Sequence, residues 1–396
     1  MQLRLLLVGF TLCATTLAFA ADPKPAPSKS APAKAAPKAS KAAPKVAKAA
    51  NAEAATEAPS TPTASKPVKL KREQDGEPVT YGRRPDLMAF GQELATRHSL
   101  DADVVRDLLA QARQIPAVAR LIMPPPAGVA KNWAAYRARF VEPVRIRAAV
   151  QFWQDNATWL ERAEQRWGVP PEVIVAVIGV ETLYGRHVGT FRVLDALTTL
   201  SFDFPSGRSD RSAFFREELE HFVLWLQRER ADPQRVLGSF AGAMGLPQFM
   251  PSSLTRHAVD FDGDGHINLA TSIPDAIGSV ANYLAKFGWE RGMPTHYSVA
   301  VPVDAAARAR LLAPDILPSF TATEFAASGA VLSERGRAHV GPLALVELQN
   351  GTAAPSFVAG TQNFYAITRY NWSSYYAMAV IDLASAAATV RDRLRR

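Results

Sequence analysis

The segment from Pro170 to Gly189 is the stretch that most constrains the fold of this 396-residue chain. Pro171 suits the first turn of a helix, where the missing N–H group costs nothing. Val173–Val180 is apolar on every face except at one glycine. A helix that is apolar all round has to be buried, so this segment is predicted to form the centre of the core.

One carboxyl group, that of Glu181, stands at the end of this apolar helix. Glu181 lies one turn beyond Val177 and Ile178 and therefore shares their face. Desolvation on such a face raises the pKa of a carboxyl group, as a general acid near neutral pH requires. The alternative is a structural carboxylate that pairs with Arg186 or caps a neighbouring helix.

Residues 1–20 have the pattern of a secretory signal peptide. Arg4 precedes an apolar run too short to span a membrane, and Ala18–Ala20 forms a small-x-small cleavage site. We therefore expect a periplasmic protein. The single cysteine, Cys13, lies inside the apolar run, and it follows Leu12 rather than the small residue that normally precedes a lipidated cysteine. No lipid anchor is expected.

Residues 21–78 are rich in Ala, Pro, Lys and Ser and show no apolar periodicity, which predicts a disordered, solvated spacer. The formal net charge of +8 suits an anionic partner. A basic arm of this composition would also fit nucleic acid, but the secretory signal argues against that use. Contact of the spacer with anionic envelope surfaces is a secondary alternative.

Residues 79–396 are predicted to fold as a mainly α (α+β) protein. Helical periodicity and end signals predict helices over Leu87–Arg97, Asp101–Ala112, Val144–Trp167, Ser212–Arg230, Asp275–Phe287 and Ser373–Leu394. Short strands are predicted at Tyr297–Val301, Ala344–Leu348 and Ser356–Val358, within a small β-containing insert over about 295–360. Pro124–Pro126 marks a loop.

An acidic loop beginning at Asp260 has the spacing of an EF-hand. Carboxylates occupy its first, third and fifth positions, and Gly265 allows the turn at the sixth. The predicted ligands of a structural Ca²⁺ are Asp260, Asp262, Asp264, the backbone carbonyl of His266, and Asp275. The usual glutamate at position twelve is replaced by Thr271, so weak binding or a plain Asp/Gly turn remain alternatives.

Two further stretches suit recognition of a polar ligand such as a sugar. Gly238–Pro251 is dense in small residues that let a ligand approach the backbone, and it carries Ser239 and Gln248 as isolated polar groups. Tight packing of helices is the alternative explanation. Near the C-terminus, aromatic rings that could stack on sugar faces cluster around Asn371, namely Tyr365, Tyr370, Trp372, Tyr375 and Tyr376.

These motifs together resemble the lytic murein transglycosylase B family. The resemblance runs, in chain order, through Gly179–Arg186, Leu194–Phe202, Gly238–Ser253, Ala258–Asn268, Asp275–Tyr283 and Asn363–Met378, and it covers nearly all of the chain after the spacer. It implies a lysozyme-like core over about 165–290 with an added helical domain, a small β domain and a C-terminal helix. It also implies cleavage of the MurNAc–GlcNAc β-1,4 bond of peptidoglycan with formation of 1,6-anhydromuramic acid ends.

The resemblance assigns Glu181 as the single acid/base. It places saccharide contacts at Tyr136, Ser239, Gln248, Tyr283, Tyr370, Asn371 and Tyr376. Arg208 and Arg211 lie near the family's arginines that meet peptide carboxylates, although the spacing differs. The chain departs from the family at Leu246–Pro247, which replace an aromatic–glycine pair.

Two other functions remain open at this stage. A hydrolytic muramidase on the same fold would need a second carboxylate, and Asp195 and Asp203 are the candidates, although we expect structural roles for both. A non-catalytic peptidoglycan-binding protein would not need Glu181. The expected partners are glycan strands and other cell-wall enzymes. No organic cofactor is expected.

Overall fold

The computed structural model of the protein describes residues 79–123, 131–207 and 209–396. The predicted signal peptide, the spacer, the loop at Pro124–Pro126 and Arg208 lie outside these residues. The helices of the described residues are α1 (Pro85–His98), α2 (Ala102–Ala110), α3 (Pro116–Leu121), α4 (Trp133–Arg137), α5 (Pro143–Asp155), α6 (Ala157–Trp167), α7 (Pro171–Thr182), α8 (Val193–Phe202), α9 (Ser212–Glu229), α10 (Pro251–His257), α11 (Ile273–Lys286), α12 (Ala305–Leu312), α13 (Ala322–Ala327), α14 (Glu334–Arg337), α15 (Gln362–Thr368) and α16 (Ser374–Leu394). The strands are β1 (Val79–Thr80), β2 (Arg113–Gln114), β3 (Phe191–Arg192), β4 (Leu237–Gly238), β5 (His296–Ala300), β6 (Val331–Leu332), β7 (Ala344–Asn350) and β8 (Ala353–Gly360).

Helix α7 is the central helix of the largest core, as its sequence predicts. It begins at Pro171, and every residue from Val173 to Val180 is buried. Helices α5, α6, α11 and α16 pack around it, and their apolar side chains form one continuous cluster with those of α7. Leu183, in the left-handed conformation, ends the helix. Because neighbours cover all sides of α7, its last turn lies inside the protein rather than at its surface.

Two further cores flank this one. Helices α1, α2, α8, α9 and α10 enclose the second, which includes Leu109, Leu197 and Phe222. The third lies under an antiparallel sheet of order β6-β5-β8-β7, in which Tyr297 and Leu345 both pair with Ala359. The predicted mainly helical fold with a small β part is therefore confirmed. None of the helices in the described ranges has the length and hydropathy needed to cross a membrane.

The prediction of one helix over Val144–Trp167 is wrong. Two helices, α5 and α6, occupy this stretch, and Asn156 separates them with φ −121° and ψ 23°. The Asn156 side-chain amide donates a hydrogen bond to the Phe152 carbonyl at 2.8 Å, which satisfies a carbonyl group at the end of α5. Asparagine competes in this way with the helical backbone, and the apolar periodicity of the two segments conceals the break.

Gly189 provides a test of how tightly the chain packs next to α7. Its φ is +93°, and a Cβ atom there would lie against the backbone of Gly238 and 2.5 Å from the Ser239 nitrogen. Gly292 has a similar φ of +77° but has open space around it. Both Gly→Ala changes place an alanine in the left-handed backbone conformation, which lowers stability. Only Gly189→Ala adds a steric clash. We expect Gly189→Ala to lower the free energy of unfolding by about 1–3 kcal/mol more than Gly292→Ala in urea titrations. Equal losses would contradict this packing.

Candidate active site

The Glu181 carboxyl group lies in the last turn of α7 and is half-buried. Its Oε1 accepts a hydrogen bond of 2.6 Å from the hydroxyl group of Tyr376, a side chain of α16 that is 2% exposed. Desolvation by the surrounding protein raises the pKa of Glu181 to about 7, and the Tyr376 hydrogen bond opposes this shift in part. Within the described residues no ion pair with Arg186 forms, so the structural alternative for Glu181 is not supported.

Further tyrosine rings lie near Tyr376 and in contact with one another. The Tyr370 ring stacks on Tyr376 with centroids 6.2 Å apart, and its hydroxyl group donates to the Pro247 carbonyl at 2.6 Å. Tyr136 is half-buried and makes an edge contact with Tyr375 at 5.8 Å. Burial raises the pKa of Tyr376 well above its usual value, and the negative charge of Glu181 adds to that shift. Tyr376 therefore stays protonated and acts as a donor to Glu181.

Asn371 and Tyr283 differ in what they offer to a ligand. Asn371 is buried, and its Oδ1 has no hydrogen-bond partner among the described residues, but the atom is closed off from solvent, so a ligand reaches it only if neighbouring groups move. The hydroxyl group of Tyr283 donates to the Arg369 carbonyl at 2.6 Å, and its ring packs 4.8 Å from that of Tyr370. Tyr283 is therefore engaged in supporting Tyr370.

The loop that carries Ser239 and Gln248 meets the tyrosines through Pro247. Ser239 Oγ accepts hydrogen bonds from the backbone of Ala241 and Ala243. Gln248 has a left-handed backbone with φ 51°, and its side-chain amide nitrogen donates to the carbonyl groups of Gly245 and Val188. Internal hydrogen bonds thus fix the conformation of this loop without a ligand.

Arg211, predicted near peptide carboxylates, lies at the N-cap of α9. Its guanidinium group is 4.6 Å from the ring centroid of Phe214. Arg208 lies outside the described residues, so the structure says nothing of that prediction.

The two candidates for a second acid are engaged elsewhere. Asp195 is buried, accepts a hydrogen bond from the Arg113 backbone at 2.8 Å, and pairs with Arg192 at 3.2 Å. Asp203 pairs with Arg84 at 2.8 Å and also accepts a hydrogen bond from Tyr81. Asp195 thus joins β2 to α8, and Asp203 joins the segment before α1 to the end of α8.

The sequence analysis missed two contributors to the end of α7. Arg145, on α5, donates to the Gly179 carbonyl near the C-terminus of α7. Thr182 hydrogen-bonds across to Leu246. The only sequence feature that could have pointed to the role of Thr182 was its position as a polar residue directly after Glu181. No sequence feature indicated that Arg145 contacts α7.

The acidic loop brings three carboxylates together. Ligand oxygens of Asp260, Asp262 and Asp264 lie within 4.8 Å of one another. Gly263 and Gly265 have φ of 82° and 90°, and the N–H groups of both donate to Asp260. Oxygen donors at this spacing suit a hard divalent cation such as Ca²⁺.

The other two predicted ligands differ from these three. Asp275 is buried, and its two oxygens accept hydrogen bonds from the backbone N–H groups of Phe261 and Asn268. It therefore stabilises the conformation of the loop. The His266 ring is largely exposed and lies 3.9 Å from Glu229. Its predicted role, which uses the backbone carbonyl, does not involve the ring.

Comparison with known proteins places this chain in a family. The transglycosylase SLT domain family matches residues 82–385. The chain belongs to this family. It is also 40% identical over 319 residues to the membrane-bound lytic murein transglycosylase B of Escherichia coli, across 78% of this chain and 85% of that protein. The protein is therefore a lytic transglycosylase.

Among the similar solved structures, two complexes bear on the site. Slt35 of Escherichia coli, in complex with calcium, is 39% identical with a TM-score of 0.67, and the match covers 79% of this chain and 96% of that one. SltB3 of Pseudomonas aeruginosa, in complex with NAG-NAM-pentapeptide, is 28% identical with a TM-score of 0.65, over 78% of this chain and 80% of that one. The lysozyme-like fold predicted for this lytic transglycosylase is confirmed by these matches.

The raised pKa of Glu181 predicts a pH-dependent gain in stability when its charge is removed. Between the ordinary carboxyl pKa of about 4.5 and the folded value of about 7, the folded protein holds a proton that the unfolded chain has released. Glu181 therefore costs stability progressively as the pH rises through this window, by up to about 3 kcal/mol. A glutamine at position 181 does not titrate. The melting temperature of Glu181→Gln minus that of the wild type should therefore increase from pH 4 to pH 8. A difference that is constant with pH would contradict the desolvation of Glu181.

Proposed function

We propose that the protein cleaves the β-1,4 bond between MurNAc and GlcNAc in peptidoglycan and leaves 1,6-anhydromuramic acid ends. The observation that carries this proposal is the half-buried Glu181 carboxyl group at the end of α7, which accepts a hydrogen bond from Tyr376 and whose pKa burial raises to about 7. A group with that pKa is present in both protonation states near neutral pH, so it can give and take a proton in one reaction cycle.

In the proposed mechanism, Glu181 first donates its proton to the glycosidic oxygen as the bond to C1 of the muramyl residue breaks. The resulting carboxylate then accepts the proton of the C6 hydroxyl group of the same muramyl residue. The C6 oxygen bonds to C1, which closes the 1,6-anhydro ring and returns Glu181 to its protonated state. No water is consumed, and no second carboxylate is needed.

The hydrolytic alternative has less support. In glycosidases that use two carboxyl groups, these flank the scissile bond at separations of about 5–10 Å. Asp195 and Asp203, the candidates from the sequence, are instead paired with Arg192 and Arg84. Because the substrate can supply its own nucleophile, the transglycosylase reaction fits the site with one acid.

The residues around Glu181 are proposed to bind the glycan. Aromatic rings can stack on sugar faces, and Asn371 Oδ1, which has no partner among the described residues, would accept a hydrogen bond from a sugar hydroxyl or amide group once neighbouring groups move to expose it. The proposed saccharide contacts are Tyr136, Ser239, Gln248, Tyr370, Asn371 and Tyr376, with Tyr283 acting through Tyr370. Arg208 and Arg211 are proposed to meet carboxylates of the stem peptide. The complex of SltB3 with NAG-NAM-pentapeptide supports a glycan substrate with attached peptide.

A periplasmic location is proposed from the sequence. The secretory signal at residues 1–20 would deliver the enzyme to the compartment that holds its substrate. After cleavage of this signal, the basic spacer over residues 21–78 would precede the catalytic part and would be free to touch anionic surfaces of the envelope.

The products of digestion test the proposed reaction directly. We expect the wild-type protein to release muropeptides with 1,6-anhydro ends from purified sacculi, as determined by mass spectrometry. Glu181→Gln should reduce the release by at least about a thousandfold and retain sacculus binding, because it removes the proton and keeps the shape of the side chain. Glu161→Gln, an exposed change on α6, serves as the matched control. Reducing ends in place of anhydro ends would establish hydrolysis, and full activity of Glu181→Gln would remove Glu181 from its role.

Calcium is proposed to bind the loop at Asp260, Asp262 and Asp264, with the His266 carbonyl and Asp275 as further candidates. When bound, the ion would supply a structural crosslink between these residues. We expect calcium at about 100 times its Kd to raise the free energy of unfolding by about 2.7 kcal/mol over a chelated sample, seen as a higher melting temperature. Asp264→Asn should weaken this shift, whereas Asp155→Asn on α5 should keep it. A melting temperature that is the same with calcium and with chelator would reject the site.

A further inference from the structure

The hydroxyl group of Thr182 joins two segments of the active site that are 64 residues apart in the chain. Thr182 is fully buried and directly follows Glu181. Its Oγ donates to the Leu246 carbonyl at 2.8 Å and accepts a hydrogen bond from the Gly185 N–H at 3.0 Å. The Ile178 carbonyl, at 3.4 Å, is the weaker of its two acceptors. One hydroxyl group thus connects the end of α7 to the loop that carries Gln248.

The backbone on both sides of this bond is in a conformation that side chains rarely adopt. Leu183 and Tyr184, directly after Thr182, have φ of 50° and 59°, and Gln248, two residues after Leu246, has φ of 51°. Such conformations persist only where the surrounding structure holds them in place. The bond between Thr182 and Leu246 lies between the two strained segments.

Leu246 is itself fixed from the opposite side. Its N–H donates to the Leu269 carbonyl at 2.8 Å, next to the acidic loop. The acceptor of the Thr182 hydroxyl is therefore part of a rigid backbone segment. A displacement of Thr182 relative to Leu246 would move Glu181, one residue earlier, relative to the residues that surround its carboxyl group.

We propose that Thr182 is a positioning residue whose hydroxyl group holds Glu181 in register with the Leu246–Gln248 segment and with Tyr376. The expected effect of Thr182 on turnover rests on the proposed function. Its expected effect on the contact between Glu181 and Tyr376 does not. A purely structural role would make Thr182 matter for stability alone.

Thr198 on α8 is the matched control for this proposal. It is also a fully buried threonine, and its Oγ1 has no hydrogen-bond partner in the described part of the chain. Thr198→Val and Thr182→Val remove the same hydroxyl group, but only the second breaks a bond between active-site segments. Thr182→Ser retains the hydroxyl group and serves as the conservative variant.

The first experiment measures the coupling between Glu181 and Tyr376 without any substrate. The Glu181 carboxyl group is titrated by carbon-13 NMR in the full chain, with Glu181→Gln identifying its resonance. Tyr376→Phe should raise the pKa of Glu181 in the wild-type background, because a hydrogen bond that stabilises the carboxylate is lost. We expect this rise to shrink by about half or more in the Thr182→Val background and to persist with Thr182→Ser and Thr198→Val. An equal rise in all backgrounds would overturn the proposal.

The second experiment measures turnover of soluble glycan strands well below the melting temperatures of the variants. Thr182→Val should lower kcat on the order of 10- to 100-fold with little change in KM, as expected when a catalytic group is misplaced. Thr182→Ser should stay within about threefold of wild type. A loss confined to the melting temperature, or an equal kcat loss in Thr198→Val, would overturn the proposal. If the wild-type protein forms no anhydro ends, the proposed function fails, and the titration still decides the role of Thr182.

Discussion

The site depends on the opposition between burial and one hydrogen bond at the Glu181 carboxyl group. Helix α7 has to be apolar because other helices cover all its sides, and Glu181 consequently stands where water solvates it poorly. Burial raises its pKa to about 7, and the Tyr376 hydroxyl group limits the rise by stabilising the carboxylate. A cation in place of the tyrosine would hold Glu181 ionised and prevent it from donating a proton.

Other carboxyl groups of the protein have a different role because their surroundings differ from those of Glu181. Asp203 receives hydrogen bonds from Arg84, Tyr81 and Gln114, and it ties the N-terminal segment to the end of α8. Glu218 is buried, at 2% exposure, and both of its oxygens accept hydrogen bonds from Ser252, at the start of α10. These carboxylates are satisfied by internal donors. Glu181 keeps one neutral donor and a half-buried face, which leaves it able to exchange a proton with a ligand.

Local signals in the sequence were sufficient for α7 and for most long helices, because Pro171 and the N-cap Asp101 act on adjacent residues. They failed at Asn156, where apolar periodicity continues across a break between α5 and α6. Strand β6 has only two residues, too few to show the alternation of apolar and polar residues that predicts a strand. The contact between Tyr376 and Glu181 spans 195 residues, and only the resemblance to a family, not periodicity or spacing, placed both side chains in one site. The Thr182 hydrogen bond escaped prediction for the same reason.

Part of the backbone strain lies next to the site, where fixed geometry is needed. Of the six residues other than glycine with positive φ in the described chain, Ser99, Leu183 and Arg230 end helices, a common use of this conformation. Tyr184, Gln248 and Asp315 do not, and the first two of these lie on either side of the Thr182–Leu246 bond. Each such residue costs about 1–2 kcal/mol, which the packed core around α7 has to offset. A relaxed backbone would be more stable locally, but it would leave the carboxyl group free to turn toward water, where its pKa would fall and its proton would be lost at neutral pH.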